Sequence, residues 1–306
     1  MNRRNFLQVA AGAAAAPSLL ATSLSANTTF APCGRLDLRF GVTGPLSNID
    51  ILAKAGFNYA DPMVTQIMKL SDADFQAVRQ RAAAAPIHAE AMQTFIPGNL
   101  KVVGPVIDQA AIDKYVAASL ARANALGVKV VVFGSGGARR VPEGFSYAEA
   151  WSQMCSFLRG VGDEIDRRGY GMVIGIEALR RQECNIVNTT AQAYALSLDT
   201  NHPRICIICD FYHLYSEKES PDVLLSVKDR LVHLHFANPA GRAFPRDPNE
   251  CPGYAPFFAN LNKINYRGRL SVEARTKDLA ADAGPALACL RTLYSNACRE
   301  TPVASR

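Results

Sequence analysis

The sequence predicts an α/β protein folded as a single (β/α)8 TIM barrel, and three observations carry that prediction. Eight short, β-rich apolar runs alternate with eight longer amphipathic runs. Several of the short runs are apolar almost throughout, as parallel strands covered on both faces must be. The chain has 306 residues, 49% of them hydrophobic, and no low-complexity linker divides it. One such barrel takes about 250 residues.

The elements follow in order. A strand over 38–42 leads to a helix over 46–55 that Gly56 stops, and a strand over 58–60 leads to a helix over 72–84. A third strand, 87–92, precedes a helix over 109–126, with Asp108 placed to cap its start and Gly127 its end. The fourth strand, 129–133, feeds a helix over 147–168 closed by Gly169. The fifth, 172–176, feeds a helix over 190–198 capped by Thr189. The sixth, 205–210, feeds a helix over 221–227 with Ser220 before it. The seventh, 231–236, and the eighth, 270–272, precede helices over 256–264 and 280–297. A doubly wound open sheet would need a glycine-rich turn after its first strand, and Gly41-Val-Thr-Gly44 matches that fingerprint poorly.

Residues 1–30 read as a targeting segment, and 31–306 as the barrel domain. Arg3-Arg4-Asn5-Phe6-Leu7 is a twin-arginine pattern ahead of the apolar run 9–16. That run is too short, and too broken by Gly12 and Pro17, to span a membrane. The expectation is export to the periplasm of a protein that has already folded. The net charge of +6 is scattered rather than gathered into a stripe, which argues against a nucleic-acid partner. A homo-oligomer is compatible with this surface. Of eight cysteines, Cys155, Cys206, Cys209 and Cys289 sit in apolar segments and read as buried thiols. Cys206 and Cys209 point to opposite faces of one strand and cannot share a zinc ion, while Cys33, Cys251 and Cys298 are left free to pair.

The last four strands each end in a residue able to bind a metal: Glu177, Asp210, His235 and Glu273. A charge closing an apolar strand is costly to bury unless it is paired or bound to a cation. One such residue is ordinary, but four on successive strands at the catalytic end of a barrel form a constellation. Three carboxylates and an imidazole suit a hard divalent cation, Mn²⁺ foremost, with Mg²⁺, Co²⁺ or Zn²⁺ as alternatives. His233 shares the inner face with His235 and reads as a group behind the ligands or as core.

At these residues the chain resembles the xylose-isomerase-like superfamily of sugar isomerases and epimerases, close in pattern to the ketose 3-epimerases. The stretch Ile176-Glu-Ala-Leu-Arg-Arg-Gln-Glu183, with Asn185 and Asn188-Thr189, is similar to the family's E-P-L-N-R-x-E and its downstream N-T. Asp210-Phe-Tyr-His213 matches D-x-x-H, Arg242 follows His235 at the family's spacing, and Glu273 closes a matching S-V-E. The resemblance implies that Glu177 and Glu273 bind the metal and exchange protons on opposite faces of a sugar, through a metal-held enediolate. It also implies that His213, Arg242 and Glu183 contact the substrate. Ala178 and Arg180 depart from the family's proline and asparagine, and Asp61 stands where many members have glutamate.

Two loops, Glu90 to Gly104 after the third strand and Phe133-Gly-Ser-Gly-Gly-Ala-Arg-Arg140 after the fourth, belong at the active-site mouth by topology. Glu90 reads either as a pocket group or as a buried, paired carboxylate. The same site would also serve dehydratases, lyases or deglycosidases acting on keto-sugars or 3-keto-glycosides. A non-catalytic sugar-binding protein is a further reading. A three-metal endonuclease would need more histidines than the five present, and His88 and His202 are poorly placed for it.

Overall fold

The computed structural model describes residues 38–300, so the twin-arginine segment and Cys33 lie outside the described residues. Nine parallel strands appear among them: β1 (Arg39–Thr43), β2 (Tyr59–Asp61), β3 (His88–Ala89), β4 (Ala91–Met92), β5 (Val130–Phe133), β6 (Val173–Glu177), β7 (Ile205–Asp210), β8 (Leu231–Phe236) and β9 (Arg269–Val272). They hydrogen-bond in the order β3-β2-β1-β9-β8-β7-β6-β5-β4. β3 and β4 are the two halves of the predicted third strand, interrupted at Glu90. The first half pairs with β2 and the second with β5. The Glu90 backbone bridges both sides, donating to the Ala60 carbonyl at 3.3 Å and accepting from Lys129 N at 2.9 Å. Eight strand positions therefore close into the predicted barrel.

The helices pack outside the strands and mostly begin where capping side chains predict. Asp108 accepts from Ala111 N at 3.0 Å at the head of Gln109–Ala125, and Thr189 accepts from Gln192 N at 3.1 Å at the head of Thr190–Thr200. Gly169 ends Tyr147–Arg168 in the left-handed conformation, at φ 66°. The cap predicted at Ser220 is misplaced: the helix predicted over 221–227 is Val223–Val227, and the Ser220 hydroxyl accepts from Asp222 N in the turn ahead of it. Among the described residues no helix is long and apolar enough to cross a membrane, and no disulfide forms; Cys251 is buried and Cys298 is a free thiol.

Inward side chains alternate along every strand. Tyr59, Ala91, Val130, Val132 and Ile208 fill the interior. Two glycines make the room: a Cβ on Gly41 would lie 2.3 Å from the Tyr59 ring, and one on Gly175 would lie 2.4 Å from Ile208. At the N-terminal end Glu90 accepts from Arg39 Nε at 3.1 Å and from Arg269 Nε at 2.6 Å, closing the floor with a paired carboxylate. Glu90 is thus no pocket group. The opposite end is left for the site.

Candidate metal centre and active site

β6 and β7 end on Glu177 and Asp210, β8 carries His233 and His235 on its inner face, and Glu273 directly follows β9. Period-two alternation brings the four predicted ligands together, with one donor atom from each within 4.8 Å of every other. His235 Nδ1 lies 2.9 Å from Glu177 Oε1 and 3.0 Å from Glu273 Oε2. Close approach of a loop is built into this cluster: a Cβ on Gly134 would sit 2.2 Å from Glu177 Oε2. Only glycine leaves that space.

Asp210 divides its two oxygens between structure and site. Oδ1 accepts from Tyr212 N at 2.6 Å and His213 N at 3.4 Å, starting the short helix Phe211–Ser216 that the sequence analysis missed. Oδ2 is buried with no hydrogen-bond partner. Burial pushes the Asp210 carboxyl up to about 6, reinforced by Glu273 and Glu177 and opposed by His213 and Arg242. Burial acts the same way on Glu273, but His235 and Arg242 carry it down to about 2.

Beneath the ligands runs a support that fixes the imidazole. Asp61 Oδ2 lies 3.3 Å from His235 Nε2 and 3.3 Å from His233 Nε2, and accepts from Ser271 Oγ at 2.8 Å. Tyr59 OH lies 2.9 Å from Ser271 Oγ. Burial alone would raise Asp61, but its two histidine partners hold it well below the usual carboxylate range. Burial would lower His235, and the carboxylates of Glu273, Glu177 and Asp61 instead hold it well above its ordinary value. His233, with less compensation, is pulled down by burial. With Nε2–H donated to Asp61, the Nδ1 lone pair of His235 is the one aimed at a cation.

The rim carries the three predicted substrate contacts. Arg242 sits in a short hairpin closed by the Asn238–Ala243 bridge, its backbone left-handed at φ 53°. Its Nη2 lies 2.8 Å from Glu273 Oε2, its Nη1 3.6 Å from Glu183 Oε1, and its guanidinium 4.7 Å above the Tyr212 ring. Arg180, at the position departing from the family pattern, stacks on the same ring at 4.9 Å and donates to Glu183 Oε1 at 2.7 Å. His213 is buried; its Nδ1 accepts from Arg180 N at 3.2 Å, so Nε2 carries the proton. That Nε2 has no hydrogen-bond partner. A cavity of about 210 Å³ is lined by Glu177, Glu273, His213, Glu183 and Arg242 on one side. Gln93, Thr94, Ile96, Gly98 and the Gly134–Gly137 turn form the other side.

All seven predicted site residues therefore converge. The donor set fits a divalent cation: three carboxylates and one imidazole meet at one point, and the buried Asp210 Oδ2 lacks a hydrogen-bond partner. Tyr59, Ser271, Tyr212 and Arg139 were not singled out from sequence. The first two sit on strands as ordinary inward residues, and Tyr212 is visible only as the middle of D-x-x-H. His88, exposed beside Ala82 O, and His202, facing Asp163 and Asp166, lie away from the site.

The family described as the xylose isomerase-like TIM barrel matches residues 49–293, and the chain belongs to it. Over 110 residues the chain is 30% identical to L-ribulose 3-epimerase of Methylomonas sp. (strain DH-1), covering 36% of this chain and 37% of that one. Over 125 residues it is 30% identical to 3-dehydro-D-guloside 4-epimerase of Escherichia coli (strain K12), covering 40% of this chain and 47% of that one. The match thus spans less than half the length of each of these two relatives. A solved structure of L-ribulose 3-epimerase superposes with a TM-score of 0.75 at 19% identity, over 88% of this chain and 98% of that one, and shows the shared fold.

Proposed function

We propose that this protein is a divalent-metal-dependent epimerase or isomerase of keto-sugars, held to one cation by Glu177, Asp210, His235 and Glu273. The observation that carries the reading is the pair of carboxylates, Glu177 and Glu273, set 2.9 and 3.0 Å from one imidazole nitrogen at the floor of an open cavity. Both curated relatives are named as epimerases of keto-sugars, which supports the same substrate class here.

A bound divalent cation would polarise a carbonyl and its neighbouring hydroxyl, making the proton between them easier to remove. Mn²⁺ is the first choice for this donor set. Glu177 and Glu273 then act as the paired bases: one removes the proton beside the carbonyl and the other returns it from the opposite face. Arg242 holds Glu273 at 2.8 Å and keeps its carboxylate directed. His213, protonated on Nε2, donates to a sugar oxygen, and Glu183 with Arg242 meets hydroxyls at the sugar's far end. Ile96 and Leu179 line the cavity and exclude water. Export is part of the same proposal, supported by Arg3-Arg4 ahead of the apolar run.

Incubation of metal-loaded protein with ketopentoses, ketohexoses and 3-keto-glycosides, followed by chromatography of the sugars, tests this directly. An epimer should appear, vanish after chelation and return with added Mn²⁺. Release of water or an aglycone would move the site to elimination chemistry, and turnover that survives chelation would contradict the metal assignment.

A further inference from the structure

One side chain joins the C-terminal ends of β5 and β6. Arg139 ends the short helix Gly136–Arg139 after β5 and is 0% exposed. Its Nη1 donates to the Phe133 carbonyl at 3.3 Å and its Nη2 to the Glu177 carbonyl at 2.6 Å, while the guanidinium lies 5.4 Å from the Phe133 ring centroid. No carboxylate among the described residues forms an ion pair with it, and Nε has no hydrogen-bond partner. Burial pulls its pKa down, opposed by the neighbouring Cys184 side chain, which also hydrogen-bonds to it, and then by Glu177. An apolar side chain of similar length would fill the volume without that cost. Packing alone does not explain an arginine here.

The same turn also touches the other end of Glu177. Gly134 leaves the space that Glu177 Oε2 occupies, and five residues later Arg139 holds the Glu177 main-chain oxygen. Residues 134–139 thus make room for the carboxylate of one acidic residue and hold its carbonyl. The rest of the turn is braced from outside: Ile96 N donates to Ser135 Oγ at 2.9 Å, and Lys101 Nζ donates to the Gly98 and Gly137 carbonyls at 2.7 Å. Building on the functional reading above, we propose that Arg139 is a positioning residue that fixes the Glu177 backbone and, through it, the aim of the carboxylate at the cation and the sugar. The cost of a buried guanidinium is kept because an apolar group offers neither carbonyl a donor, and the rigid planar fork reaches the two with separate nitrogens, Nη1 and Nη2.

The test is calorimetric titration of Mn²⁺ into the metal-free full chain, run beside thermal melts, for wild type, Arg139→Met and Arg139→Lys. Wild type should bind one Mn²⁺. Arg139→Met should fold and bind Mn²⁺ roughly 10–100-fold more weakly, the range seen when a group behind a metal ligand is removed. Arg139→Lys should recover only part of that loss, and it serves as the probe if the methionine variant does not fold. In turnover the loss should fall on kcat, with KM nearly unchanged, because the sugar contacts from His213, Glu183 and Arg242 are untouched. A folded Arg139 variant with wild-type Mn²⁺ affinity and wild-type kcat overturns the assignment. Wild-type protein that binds no Mn²⁺ overturns instead the functional reading beneath it, so the two failures are distinct.

Discussion

The two ends of the barrel hold the same chemistry in opposite states. At the N-terminal end Glu90 is clamped between Arg39 and Arg269, and both of its oxygens are engaged. At the C-terminal end Asp210 Oδ2 is buried without a hydrogen-bond partner, His213 Nε2 lies 3.6 Å from it in the same condition, and Glu273 Oε2 is shared between Arg242 and His235 at 2.8 and 3.0 Å. The floor is a closed arrangement that ties strand ends together. The mouth is an open one with capacity left for a cation and a ligand. What marks the mouth as functional here is the crowding of three carboxylates on one imidazole with an unpartnered oxygen on Asp210, since burial is common to both ends.

The largest test of that contrast is at the mouth. Glu177→Gln keeps the shape of the side chain and should retain the fold while kcat falls by about 10²–10⁴, the usual worth of a positioned acid–base group. Steady-state kinetics on whichever sugar is turned over would show it, and a near-normal rate would remove Glu177 from the proton transfer. One layer down, Asp61→Asn should weaken Mn²⁺ binding roughly 10–100-fold, because His235 loses the anionic acceptor that fixes its tautomer and raises its basicity. Unchanged affinity by calorimetry would reduce Asp61 to a core residue.

Protons sharpen the comparison further. Asp210 has a higher pKa in the folded chain than its ordinary value, about 6 against 3.8, so below about pH 6 the folded apoprotein holds a proton there that a cation must displace. His235, raised well above 6.5, holds another on the nitrogen that faces the carboxylates. Mn²⁺ affinity should therefore fall as pH drops through neutrality, by about tenfold per pH unit for each proton displaced, and more steeply below about pH 6. Affinity that is flat between pH 5 and 8 would contradict these protonation states. At the floor, Glu90→Gln should cost about 1–3 kcal/mol in denaturant unfolding and leave Mn²⁺ affinity and kcat alone. A large loss of activity would erase the distinction between the two ends.

Much of this arrangement was legible in the sequence because its strongest signals are costly exceptions. Glu177, Asp210, His235 and Glu273 close apolar strands, and such exceptions in register at one end of a barrel imply a common ligand. Strand alternation likewise placed His233 beside His235. The floor was less legible: Glu90 lies on a predicted strand like the others, and only the pairing shows that its backbone interrupts the strand and its side chain faces Arg39 and Arg269. Ser220 misled because its hydroxyl serves a turn two residues before the helix it resembles a cap for. Arg139 was hidden in an Arg-Arg pair after a glycine-rich run, where one arginine is exposed and the other fully buried. Its meaning depends on a contact 38 positions away in the chain, which no local pattern encodes.

The most direct test of the central claim is hydrogen exchange at carbon. Mn²⁺-loaded protein in D₂O with ketoses and 3-keto-glycosides, followed by NMR, should place deuterium on a carbon beside the carbonyl as the epimer forms. Glu177→Gln and Glu273→Gln should each suppress epimer formation. If epimer forms without deuterium, or exchange proceeds undiminished in both variants, the two carboxylates at the mouth of the barrel are not its proton-transfer pair.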